Sequence, residues 1–234
     1  MSLPDVSKGE VRVKIGAAAV GFVDGLKVQG LYQTKDPLPF VPGTEFAGMV
    51  DAVASDVSAF KPGMPVIGMT RSGALAEYIS VPSAALKNLP AQVPFEAGAS
   101  FQANYLTGLY ALDARASLHA GEILLVLGAA GGVGIAAVQI GKLMGARVIA
   151  AASTQEKRDF AIQFGADETI DYTQANWRDA LKALTDGHGP DVIFDPVGGE
   201  VALQAFRSIA WRGRHLVVGF ASGTIPALAF NLPL

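Results

Sequence analysis

Residues 122–138 read EILLVLGAAGGVGIAAV, an apolar run, a glycine-rich turn and a second apolar run. Gly128, Gly131 and Gly134 recur at every third position, with Gly132 between the last two. The chemistry that uses such a turn is phosphate binding. Residues without side chains let main-chain N–H groups close on an oxyanion, and the helix that follows offers unpaired donors and a positive dipole end. On this reading Gly128 permits the sharp turn, Gly131 and Gly132 admit a pyrophosphate, and Gly134 allows close helix–strand contact. The competing reading is a tight strand-to-helix turn without a ligand. The context the motif demands is present, with a strand before it, a helix after it and a second strand about one βαβ unit later, and this favours a dinucleotide.

The second strand chooses between cofactors. A site for NAD usually ends that strand on a carboxylate that accepts from the ribose 2′-hydroxyl. Here the strand runs RVIAAAS and continues TQEK, with no acid before the helix-opening turn. Ser153 can donate to a phosphate and Lys157 adds a cation one turn into the helix, which favours a 2′-phosphate and hence NADPH. The alternative is a plain helix cap at Ser153, in capping-box spacing with Glu156, beside a solvated Lys157. Cysteine is absent, which removes disulfides, thiolate nucleophiles and every cysteine-bearing zinc site. His119, His188 and His215 are scattered along the chain, as suits surface or structural roles better than ligation.

Two kinds of element must carry these residues. From about residue 104 strands and helices alternate: strands at 122–128, 147–153, 168–172, 191–198 and 213–221, with helices at 133–145, 154–165, 176–186 and 199–211 between them. Five strands joined by helices imply right-handed crossovers and a doubly wound parallel sheet covered on both faces. Residues 10–90 instead carry short β-rich pieces, EVRVKIGAAAV, FAGMVDAVAS, MPVIGM and LAEYISVP, separated by turns such as KDPLPFVPGT and FKPG, which suggest a small barrel-like or mixed β domain. The 234 residues are 50% hydrophobic and 17% charged, enough for a sizeable core. A net charge of −3 without charge runs disfavours nucleic-acid and anionic-membrane partners. Glycines and a lysine interrupt every apolar stretch before it reaches spanning length. The start, MSLPDVSKGE, lacks a secretory pattern, with MSL read as an expression remnant. A soluble cytoplasmic protein is the expectation.

The segments GAAGGVG, RVIAAASTQEK, FGADETIDY, DVIFDPVGG and GRHLVVGFASG resemble the coenzyme domain of the medium-chain dehydrogenase/reductase superfamily. FVPGTEFAGMVDAV, FKPG, GALAEYISVP and YLTGLYAL resemble its catalytic domain, and the nearest branch is that of the zinc-free quinone oxidoreductases, which includes zeta-crystallin. The resemblance implies an α/β fold, with a Rossmann-type NADP-binding domain at 104–234 preceded by a smaller GroES-like catalytic domain at 1–103. Zinc-dependent relatives place a histidine before the glutamate of PGTEFAG, where this chain has Thr44 beside Glu45.

Carried over residue by residue, Gly131, Gly132, Val133 and Gly134 hold the pyrophosphate. Ser153, Lys157 and Tyr172 surround the adenosine 2′-phosphate, and Thr107, Phe220 and Ala221 flank the nicotinamide end. Gly21 stands where the family has an asparagine, whereas Asp24 and Tyr32 are kept. Tyr32 is then either a donor to the substrate oxygen or a structural tyrosine, with solvent supplying the proton. The implied reaction passes hydride from NADPH, bound between the domains, to a quinone or another electrophilic carbonyl compound. An enoyl or alkenal reductase is the nearest alternative. A non-catalytic NADPH-binding or inactive truncated form is the other, suggested by Gly21 and by a chain that, against the family pattern, lacks its first strands and a sixth coenzyme-domain strand at IPALAFNLPL. The resemblance also implies a homodimer, through the edge which that strand would form.

Overall fold

A computed structural model describes residues 3–229 and 231–232. The chain divides into two compact units, Met1–Ala103 and Asn104–Leu234. In the first, alternation of apolar and charged residues makes strand β1 (Glu10–Ala18) one-sided: Val11 and Val13 are fully buried while Arg12 and Lys14 point outward. Helix α1 (Phe22–Val28) follows, then β2 (Glu45–Val53), β3 (Pro65–Met69), β4 (Tyr78–Pro82) and β5 (Leu86–Asn88). They form an antiparallel sheet in the order β4-β1-β2-β3-β5. Val11, Val13, Phe46, Val50, Val66, Ile79 and Val81 fill its core. Short helix α2 (Phe95–Ala99) closes a second small core of Ala47, Leu89 and Ala99. α1 and β5 were not expected from the sequence, because neither is long enough to show a period.

Helix α3 (Gln102–Leu109) continues as a π-helical segment at Tyr110–Arg115. The second unit then alternates β6 (Ile123–Leu127), α4 (Gly132–Leu143), β7 (Arg147–Ala151), α5 (Gln155–Gln163), β8 (Glu168–Ile170), α6 (Trp177–Leu184), β9 (Val192–Asp195), α7 (Gly199–Phe206) and β10 (Arg214–Val217). All five strands are parallel, in the order β10-β9-β6-β7-β8. Apolar strand residues feed a core on each face. Leu124, Val126, Val148 and Phe194 pack with Ala137, Val138 and Ala161 of α4 and α5 on one side. Leu125, Leu127, Ile149 and Ile193 pack with Trp177, Leu181 and Ala205 of α6 and α7 on the other. This is the doubly wound Rossmann-type sheet, and the first sheet is the GroES-like one.

Several expected elements are shorter. β10 stops at Val217 because the N–H groups of Val218 and Gly219 both donate to the carbonyl of Asp195, at 2.8 and 3.3 Å, and turn the chain over the sheet. α7 stops at Phe206, where the chain turns so that Ala210 donates to the Pro190 carbonyl. Residues 225–229 hold no regular element, and Phe230, Pro233 and Leu234 of the IPALAFNLPL stretch lie outside the described residues, as do Met1 and Ser2 of MSL. No helix among the described residues is long and apolar enough to cross a membrane.

Candidate functional site

Strand order reverses at β6: the chain goes to β7 and β8 on one side, then to β9 and β10 on the other. Ligands of open α/β sheets bind where strands diverge in this way, at their carboxyl ends. The glycine turn stands at that end of β6. Gly128 adopts φ +58°, and a Cβ on it would lie 3.0 Å from Val197 Cγ2, so the turn needs glycine twice over. Gly131 caps α4 with extended backbone and no side-chain acceptor. The N–H groups of Gly132, Val133 and Gly134 therefore begin the helix without intrahelical partners. A Cβ on Gly134 would stand 2.4 Å from the Gly128 carbonyl oxygen. This glycine-lined cradle with free main-chain donors fits a pyrophosphate.

β7 ends at Ala151, and Ala152 donates its N–H to the carbonyl of Ile170 at 3.1 Å, which delays the helix by one residue. Thr154, not Ser153, therefore caps α5, accepting from the Lys157 N–H at 3.3 Å. The capping box expected at Ser153 and Glu156 is corrected accordingly. The Ser153 hydroxyl makes no hydrogen bond among the described residues. Lys157 forms no ion pair among them, and with Ala130, Glu156, Asp159, Phe160 and Gln163 it lines an open groove of about 670 Å³ beside the glycine turn. Its neighbour Arg158, missed in the sequence, turns inward. Its guanidinium donates to the Ala152 carbonyl at 3.0 Å and pairs with Asp171 at 3.1 Å. Thr173, above all through its hydroxyl, lowers Asp171 to about 2, with Arg158 contributing. Tyr172 lies beyond the end of β8, its ring packed against the Leu125–Ile149 core.

At the carboxyl end of β9 the turn Asp195–Gly199 meets the segment Gly219–Thr224. Ala221 donates to the Pro196 carbonyl at 3.0 Å, Ser222 to that of Val197 at 2.9 Å, and Gly199 to that of Thr224 at 3.0 Å. A Cβ on Gly198 would sit 2.9 Å from the Phe220 ring. Phe220 and Ala221 are thus carried by the same turn that touches Gly128. Thr107 lies on α3, which packs on α4 through Gly108 against Ile140, while the Asn104 amide comes within 2.7 Å of where a Gly132 Cβ would be. Asn104 was also missed, since nothing in its spacing marks it. Missed too were Asp195 and His215, whose pairing depends on register alone.

Residues 7–91 match the model of the alcohol dehydrogenase GroES-like domain, and residues 132–234 that of the zinc-binding dehydrogenase domain. A quinone oxidoreductase-like protein 2 homolog of Nematostella vectensis is 41% identical over 100% of this chain, which spans 64% of that relative. The human quinone oxidoreductase is 34% identical over 96% of the chain and 68% of its own length. The Escherichia coli quinone oxidoreductase, solved in complex with NADPH, superposes with a TM-score of 0.92 at 30% identity, covering 99% of this chain and 71% of that one. The chain belongs to the quinone oxidoreductase family of the medium-chain dehydrogenase/reductases.

Among the described residues no set of donors fits the zinc named by the second domain model. Cysteine is absent, and no group of three His, Asp or Glu side chains converges among the described residues. Each histidine instead meets a carboxylate: His119 meets Glu122 at 3.8 Å, His188 meets Asp191 at 2.9 Å and His215 meets Asp195 at 3.0 Å. The GroES-like unit holds its own buried polar network. Gly21 caps α1, and its N–H donates to the Asp24 carboxylate at 2.8 Å. Lys27 Nζ donates to the Arg71 carbonyl, pairs with Asp36 at 3.4 Å and stands 5.9 Å above the Tyr32 ring. Glu45 is buried at the start of β2 and accepts from the Ala103 N–H at 2.7 Å. Burial pushes its carboxyl above the usual range, Asp24 adds to this, and the Ala103 and Gln102 amides oppose it.

Proposed function

We propose that the chain is an NADPH-dependent, zinc-independent oxidoreductase that reduces a quinone or a similar electrophilic carbonyl compound. The observation that carries this reading is the mouth of β7: the strand ends in alanines, the Ser153 hydroxyl is uncommitted among the described residues, and Lys157 faces the groove beside the glycine turn. An NAD site would have a carboxylate there. The names of the relatives and the NADPH complex of the bacterial neighbour support the same reading.

The main-chain donors of Gly132, Val133 and Gly134 hold the pyrophosphate. Ser153 and Lys157 hold the 2′-phosphate, with Tyr172 beside them. Thr107, Phe220 and Ala221 flank the nicotinamide end. Bound NADPH supplies the hydride. Quinones and enones accept hydride without a Lewis acid, so the lack of zinc ligands is no obstacle. Tyr32 is the candidate hydrogen-bond donor toward the substrate oxygen, and solvent supplies the one proton that accompanies the hydride. The test mixes protein, NADPH and a simple quinone and follows the loss of nicotinamide absorbance. Turnover with NADPH, and slower turnover with NADH, is expected. NADPH binding without turnover of any quinone or enone would contradict the enzymatic part of the reading.

A further inference from the structure

Asp195 ends β9 with 1% of its surface exposed. Its Oδ1 accepts the N–H groups of Val197 and Gly198 at 2.8 and 2.9 Å, and its Oδ2 stands 3.0 Å from His215 Nε2. A carboxylate only accepts, so Nε2 carries the proton of that bond. His215 is nine-tenths buried on β10, in register with Ile193 and 5.9 Å from the Phe206 ring of α7. Its Nδ1 is buried and makes no hydrogen bond among the described residues. A buried charge with its full set of donors costs desolvation that an apolar pair would avoid, so packing alone does not account for it.

Everything this carboxylate organises lies around the proposed nicotinamide end. Its two amides shape the 196–199 turn, in which Gly198 and Gly199 take φ +70° and +63°. That turn presses Val197 on Gly128 and accepts the Ala221 and Ser222 amides, and the Asp195 carbonyl accepts those of Val218 and Gly219. β7, with Ser153 and Lys157 at its mouth, lies on the opposite side of β6.

We propose that Asp195 and His215 form a positioning pair that sets the 196–199 turn, and through it the Phe220–Ala221 segment, for the nicotinamide half of NADPH, leaving the adenosine half to β7. This rests on the reading of the site as NADPH-binding. The pair touches no reacting atom; it acts through the turn.

The test compares NADPH with adenosine 2′,5′-bisphosphate, which carries only the adenosine half, in the wild type and in Asp195→Ala, His215→Leu and His215→Gln. Asp195→Ala is expected to weaken NADPH about tenfold, as loss of hydrogen bonds to a charged group does. It should leave the bisphosphate within about twofold and abolish the rise in nicotinamide emission on binding. His215→Leu should act in the same direction, and His215→Gln, whose amide still donates to the carboxylate, should restore emission. If Asp195→Ala does not fold, the two His215 variants decide the matter. Equal weakening of both ligands, no change in either, or Gln no better than Leu overturns the positioning role. A wild type that binds neither ligand removes the cofactor reading itself, and the pair's role with it.

Discussion

Glu45 begins β2 buried, and burial is the largest influence on its proton. A carboxyl whose folded pKa is raised binds protons more readily in the folded state. Its contribution to stability therefore declines as pH rises from about 4.5 through the raised value. Glu45→Gln keeps an acceptor for the Ala103 amide and removes the charge. Calorimetry should show its thermal midpoint about 2–4 °C above that of the wild type at pH 8, with the two converging at pH 4. A loss of stability at pH 8 that vanishes at pH 4 would mean that the charge itself holds the fold, and an equal difference at both would take the charge out of the account. Lys157 and Arg158 show what sequence can and cannot resolve at this scale. The basic doublet is legible, but which cation turns inward depends on helix phase and on Asp171, 13 positions away from Arg158. Asn104, Asp195 and His215 carry no local mark at all, since their partners arrive only when α3 meets α4 and β9 meets β10.

The elements around the candidate site were largely readable, because the strands, apolar at the centre of the sheet, and the helices between them carry different periods. Their ends were not, because termini are set by competing hydrogen bonds. Ser153 and Thr154 are adjacent hydroxyls, and only the extra pairing of Ala152 with Ile170 makes the second one the cap. Thr154→Ala should therefore cost about 1 kcal/mol in denaturant unfolding. Ser153→Ala should stay within about 0.5 kcal/mol, as at a half-buried position whose side chain makes no hydrogen bond among the described residues. The reverse order would return the cap to Ser153 and take that hydroxyl away from the phosphate.

Across the whole molecule, Trp177 and Trp211 both lie in the parallel-sheet unit, so tryptophan emission reports on that unit alone. Arg214 holds Glu122 below its ordinary range by a two-pronged contact, each prong at 2.7 Å. Asp167 is lowered as well, since Lys142 and the Val148 amide outweigh its burial. For a depressed carboxylate the stabilisation is complete above its ordinary pKa, here 4.5 and 3.8, and is lost as pH falls through the lowered value. The tryptophan-detected midpoint should therefore drop on acidification below about pH 4.5, and Glu122→Gln should lower it at pH 7 while flattening that drop. An unchanged pH slope in Glu122→Gln would remove the pair from the account.

The cofactor assignment is tested most directly by titrating the wild-type chain and Lys157→Ala with NADPH and with NADH. The wild type should bind NADPH at least about tenfold more tightly, and Lys157→Ala should lose most of that preference by weakening NADPH alone. Equal affinities in the wild type, or a variant that weakens both cofactors alike, would contradict the 2′-phosphate site at the mouth of β7.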